Sequence, residues 1–326
     1  MSKIGLSQNR ATVVAVSAIL LLASTVFSLP QERDGRVFVR NASGGSEKPV
    51  TIPVTVRIRH SQPKKEVQLV DLVVREDGEE QPSISIRSLS TTPLSIAVLV
   101  QDDLVSSVSN EIKTIAEFIR RLPPGSRVLI GYIRGGSLDV RQRFTSDLNK
   151  AAGALRIPIG HAGVATFNPY VEIREGLKRF ESQPLGRRAM LVVSDGLDIS
   201  RGVDPGSIVN SYDLHKAISE AQKRSVAIYS IYSPSVSATA SGNFLLVGSA
   251  QSALQRLSSE TGGHAFFQGT NAPVSFDQFL RDIDASLGMQ IALTYLSTHT
   301  GKGFHKIEVK SLAPEIEVRH PAGYTR

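Results

Sequence analysis

Between Pro93 and Gly288 the chain alternates short, uninterrupted apolar runs with longer amphipathic stretches, and this alternation leaves few folds open. The runs are "LSIAVLV", "RVLIGYI", "AMLVVSD" and "SVAIYSIYS". Apolar residues at consecutive rather than alternate positions suit strands buried on both faces, as in a parallel sheet. The intervening segments carry the helical period. Val108, Ile112, Ile115, Phe118, Ile119 and Leu122 form one stripe, stopped by Pro123-Pro124-Gly125. Asn168 followed by Pro169 is a helix start, and Ser146 reads as a cap for "SDLNKAAGALR". Further helices are expected at "YDLHKAISEAQKR", "SALQRLSSETGG" and "FDQFLRDIDASLG", with short strands at "DVRQRF" and "HAFFQ". The fold class is therefore α/β: a Rossmann-like, open, mostly parallel sheet with helices on both faces.

The flanks read differently. "VTIPVTVRIR" alternates, placing Val54, Val56 and Ile58 on one face and Thr55, Arg57 and Arg59 on the other. "VQLVDLVVREDGEEQPSISI" turns at Asp77-Gly78, and after Gly288 the strands "IALTYLST", "HKIEVKS" and "IEVRH" follow. The expected organisation is a leader over 1–28, an N-terminal β module over 36–92, the α/β domain over 93–289, and C-terminal β strands over 290–326 that pack with the N-terminal module. "SPSVSATASGN" reads as a mobile surface loop.

Lys3 and Arg10 precede the apolar run "ATVVAVSAILLLASTVFS", and Val26 and Ser28 suit cleavage before Leu29. This predicts a signal peptide over 1–28 and a periplasmic, envelope-associated or secreted protein; an uncleaved membrane anchor is the rival reading. With no cysteine in the chain, disulfides and a cysteine-linked lipid are excluded, which fits a bacterial envelope. A composition 41% apolar and 21% charged is globular. The net charge of +7 is modest, and Arg120–Arg121, Lys178–Arg179 and Lys223–Arg224 fall at expected helix C-termini, where they offset the helix dipole. No nucleic-acid footprint and no membrane contact beyond the leader are expected.

Ligands of open parallel sheets bind at the carboxyl ends of the strands. Three such ends carry oxygen ligands: Asp102, Asp103 and Ser106 after the first strand, Thr166 before a helix, and Ser194-Asp195-Gly196 after a later strand. Carboxylates and hydroxyls drawn from several loops suit a hard divalent cation. Each residue alone also reads as a helix cap or a turn.

At these positions the chain resembles the von Willebrand factor A (VWFA) domain, whose metal-ion-dependent adhesion site uses D-x-S-x-S, a distant Thr and a later Asp. Asp102, Ser106, Thr166 and Asp195 match, whereas Leu104 stands at a serine position and cannot ligate. The resemblance extends over residues 36–326 to bacterial exported VWFA-related proteins, through Glu76-Asp77-Gly78 with Gln81, Thr261-Gly262-Gly263 with Phe266-Phe267, the strand Ile291 to Leu296, and Gly323-Tyr324. It implies an exported, non-enzymatic adhesion-type module. Mg²⁺ or Mn²⁺ would be held by Asp102, Ser106, Thr166, Asp195 and, by compensation, Asp103, in a site weakened by Leu104. The partner would be a protein offering an Asp or Glu to a face made of Asp103, Thr166, Phe167 and Asp198. A metal-free envelope scaffold is the alternative reading. A hydrolase built on Ser194 is remote, because no nucleophile elbow, P-loop or H-E-x-x-H helix occurs and the seven histidines show no ligand spacing.

Overall fold

The computed structural model describes residues 47–58, 71–88, 92–161, 166–202, 204–236, 238 and 243–326. The expected leader lies outside them. No helix among the described residues is long and apolar enough to cross a membrane.

The centre of the chain is a six-stranded sheet of β5 (Ser95–Gln101), β6 (Arg127–Arg134), β7 (Ser137–Thr145), β8 (Arg188–Ser194), β9 (Ala227–Tyr232) and β10 (Ala265–Phe266). Its spatial order is β10-β9-β8-β5-β6-β7, parallel throughout except for β7, which returns antiparallel at the edge beside β6. From β5 the chain steps to β6 and β7 on one side, then back to β8, β9 and β10 on the other. The crevice between the carboxyl ends of β5 and β8 is therefore the topological switch point.

Every residue of β5, β8 and β9 is buried, as the continuous apolar runs require. Two helical layers cover the sheet. Helices α1 (Val108–Arg121), α2 (Leu148–Gly153) and α7 (Asp277–Gly288) share one core with Ile96, Val98 and Val100. Helices α3 (Pro169–Lys178), α4 (Pro205–Val209), α5 (Tyr212–Lys223) and α6 (Phe244–Glu260) share the other with Ala97 and Leu99. Asn168 caps α3 by accepting from the Tyr170 amide, with Pro169 at the first helical position. The cap of α2 is Asp147, one residue beyond the expected Ser146, because its carboxylate reaches the Lys150 amide.

Strands from both chain flanks form two antiparallel four-stranded sheets, with β1 (Lys48–Ile58), β2 (Leu72–Glu76), β3 (Glu79–Gln81) and β4 (Ser83–Arg87) from one flank. The other contributes β11 (Gln290–Ser297), β12 (Phe304–Ser311), β13 (Ile316–Arg319) and β14 (Gly323–Thr325). The orders are β13-β1-β11-β4 and β14-β12-β2-β3. Val50, Ile52, Val54 and Val56 from one sheet and Val74, Ile307 and Val309 from the other close a shared core, so the two sheets form a small β module. The Arg187 side chain is buried where β11 leaves the α/β layers, and it donates to the backbone carbonyls of Gln290 and Leu287. Those bonds offset the cost of burying a guanidinium, whose pKa burial still pulls down to about 10.

The stretch expected as a surface loop is described only at its ends, since residues 237 and 239–242 lie outside the described residues, and its start is not open. Ser233, Pro234 and Ser235 are buried, Ser235 forms a β-bridge with Leu104, and Asn243 caps α6.

Candidate functional site at the strand ends

Strand parity decides which oxygens meet. Ala97 and Leu99 point to one core and Val98 and Val100 to the other. Continuing that alternation puts Gln101 and Asp103 on one side of the chain and Asp102 on the opposite side.

Asp102 is turned toward β6. Its carboxylate is fully buried and accepts a two-pronged bond from Arg156, with Nη1 to Oδ1 at 2.6 Å and Nη2 to Oδ2 at 2.8 Å. The Ile159 amide donates to Oδ1 at 3.0 Å, and Arg134 Nε lies 3.9 Å from Oδ2. Arg156 stacks on the Tyr132 ring at 4.0 Å, while the Tyr132 hydroxyl accepts from the Arg156 amide and donates to its carbonyl. The bond to Asp102 holds the guanidinium still more firmly charged.

Asp103, Thr166 and Asp195 do gather in the switch-point crevice. Asp103 accepts from Gln101 Nε2 at 2.9 Å and from the Thr166 amide at 3.3 Å. Gln101 Oε1 in turn accepts from the Ser194 hydroxyl at 2.6 Å and the Asp195 amide at 3.1 Å, so one amide side chain ties the ends of β5 and β8 together. Asp195 Oδ1 accepts from the Leu197 amide at 3.0 Å. Burial first, and then the neighbouring Asp103 charge, push the Asp195 carboxyl up to about 7, against the bonds from Ser235, Leu197 and Gln101. Burial also raises Asp103.

The remaining expected residues stand apart. Ser106 is exposed at the entry to α1. Asp198 is buried and satisfied by Ser200 and Ser211. Of the expected binding face, Asp103, Thr166 and Asp198 are closed to solvent and Phe167 alone is open, at 61% exposure. Leu104, expected as a gap in a ligand set, is a core residue in contact with the α1 layer. The crevice is roofed by its own chain: Val105 donates to the Pro234 carbonyl, Val236 to the Asp103 carbonyl and Gly160 to the Asp102 carbonyl.

A divalent cation does not fit this donor set. An octahedral ion such as Mg²⁺ takes about six oxygens, several of them from water, around one or two carboxylates free to turn toward it. Here both Asp102 oxygens are taken by a guanidinium whose positive charge excludes a second cation there, Ser106 is exposed away from the crevice, and the Ser194 hydroxyl is given to Gln101. Thr166 Oγ1 points to the Ile133 carbonyl at 3.5 Å. The arrangement disagrees with the expected ligand set at Asp102, by strand parity, and at Ser106, by exposure. Gln101 and Arg156 escaped the sequence reading. Parity counted along "SIAVLVQDD" points to Gln101, whereas Arg156 lies 54 residues from its partner and carries no local signal.

No family model matches the chain, and no curated protein does. Among solved structures it is similar to BatB from Bacteroides thetaiotaomicron, a conserved hypothetical protein, at 11% identity and TM-score 0.42, over 60% of this chain and 97% of that one. It is also similar to an aerotolerance-related membrane protein from Bacteroides fragilis carrying multiple mutations to serines (10%, TM-score 0.39, 60% and 98% covered). A third likeness is the SpRpn10 VWA domain, at 16% identity and TM-score 0.33, over 50% of this chain and 85% of that one.

Proposed function

We propose that the chain is an exported, non-enzymatic protein-binding module of the VWFA-related kind, working at its strand-end face without a coordinated cation. The observation that carries this reading is the Arg156 fork on Asp102: a fixed guanidinium supplies the positive charge that a cation would bring. The open groups around this corner are Phe167, Ile159 and Arg134, next to the buried Thr166 and Asp102. A partner's Asp or Glu would meet Arg134 in place of a metal ion, with Phe167 and Ile159 as apolar contacts. The Ser194 hydroxyl is buried and its proton is given to Gln101, an amide that cannot act as a base, which supports a non-catalytic role.

Melts of the EDTA-stripped chain with and without Mg²⁺ test the metal-free reading: the two curves should coincide. A divalent-ion shift lost in Asp195→Asn sinks it. Affinity capture of envelope proteins should weaken in Phe167→Ala and Arg134→Ala. Capture unchanged by both variants would move the contacts to the β module, as the scaffold reading requires.

A further inference from the structure

The "EDG..Q" phrase has no part in the strand-end face, yet it builds a second polar cluster in the β module. Asp77 and Gly78, both at positive φ, turn β2 into β3. Asp77 accepts from the Lys306 amide at 2.8 Å and pairs with His305 Nδ1 at 2.8 Å. Gln81 accepts from the Thr298 amide and hydroxyl at 3.0 and 3.2 Å, which fixes the segment after β11 and brings His299 over the hairpin. Glu76 sits beneath. It is fully buried, and neither carboxylate oxygen closes a hydrogen bond; its nearest cation is His305 Nδ1, 3.5 Å from Oε1. His305 is already committed to Asp77 and, through Nε2, to the Gly301 carbonyl at 3.1 Å. The Tyr295 hydroxyl is buried beside it, and burial first, then the Glu76 charge, push its pKa up. A buried carboxyl group with no close hydrogen bond is costly to bury unless something further engages it.

We infer that Glu76, Asp77 and His299 bind a divalent transition-metal ion of the zinc class. One ligand atom from each already lies within 4.8 Å of the others. The imidazole selects against Mg²⁺ and Ca²⁺, and two carboxylates balance the charge of the ion. His299 Nδ1 is buried without a partner while its Nε2 lies 3.7 Å from the Glu79 carboxylate. That is the arrangement in which a ligating histidine is oriented through its other nitrogen. Asp77 and His299 are partly open to solvent, which gives the ion a way in, and three protein ligands leave a fourth position for water.

The test uses the tag-free full chain, stripped with EDTA and titrated with Zn²⁺ by calorimetry, with Co²⁺ absorption as a spectroscopic readout. Saturable binding of about one equivalent is expected, with a Tm rise of several degrees at about 100 times the Kd. His299→Ala and Glu76→Gln should each weaken binding about tenfold or more. His299 is partly exposed, so its variant should melt with the metal-free wild type, which separates lost binding from lost folding. Asp195→Asn should bind Zn²⁺ like wild type, which keeps this inference distinct from the strand-end reading. No saturable binding by about 100 µM, no tetrahedral Co²⁺ spectrum, or binding indifferent to His299→Ala overturns it.

Discussion

Replacing Arg156 by alanine isolates the two-pronged ion pair that holds Asp102 at the strand ends. The variant strips a buried carboxylate of two charge-assisted bonds, at 2.6 and 2.8 Å, and leaves it the Ile159 amide at 3.0 Å and a distant Arg134 at 3.9 Å. Removing one partner of a buried pair costs about 3–5 kcal/mol. The Arg156 side chain is 27% exposed and Asp102 keeps one donor, so the lower end, about 3 kcal/mol, applies here. The lost stacking on Tyr132 adds roughly 0.5–1 kcal/mol. With an unfolding entropy of about 2.1 cal/mol/K per residue over roughly 290 residues, the Tm should fall by about 6–7 °C. Calorimetry reads that shift directly. Combining Arg156→Ala with Asp102→Asn should recover part of it, because the variant no longer buries an unpaired charge. A Tm loss below about 1 °C, or a coupling energy below about 0.5 kcal/mol in the double-mutant cycle, would refute the assignment of Arg156 as the charge partner.

Leu104→Ser, which restores a hydroxyl at the serine position of the motif, should create no Mg²⁺ response and should destabilise by about 3–5 kcal/mol, since it empties a core site in urea melts. Asp195 gives a pH signature. Its folded pKa of about 7 lies above the ordinary 3.8, so the folded state holds the proton more tightly. Stability from this group is full below about pH 4 and is lost as pH rises to about 7, with a ceiling of about 4 kcal/mol. Asp195→Asn should flatten the fall in Tm between about pH 4 and 7, and an unchanged slope would contradict the burial argument. Gly263→Ala would place a Cβ 1.9 Å from the Ile228 carbonyl oxygen, so we expect a loss on the order of 3 kcal/mol or more in a denaturant titration, or no folded protein at all.

The sequence by itself determined the α/β class and the strand-end location of the polar residues. A parallel strand buried on both faces has to be apolar at consecutive positions, and helices have to repeat every 3.6 residues. Those local constraints are written in "LSIAVLV" and in the α1 stripe. The Asn168-Pro169 start and the Asp77-Gly78 turn were legible for the same reason, since caps and turns depend on a few adjacent residues. What the carboxylates do was not legible. Asp102 and Asp103 are adjacent in the turn just past β5 but point to opposite sides of the chain, and only the packed sheet shows that one meets Arg156 while the other meets Gln101 and Thr166. Leu104 read as a missing ligand because the motif gives a position and not a surrounding; the tertiary structure supplies the core that it fills. Likewise Ser233–Ser235 has loop composition, yet pairing with Leu104 buries it over the crevice. Arg156 could be matched to Asp102 only by folding, because a contact between residues so far apart in the chain leaves no periodic or local trace.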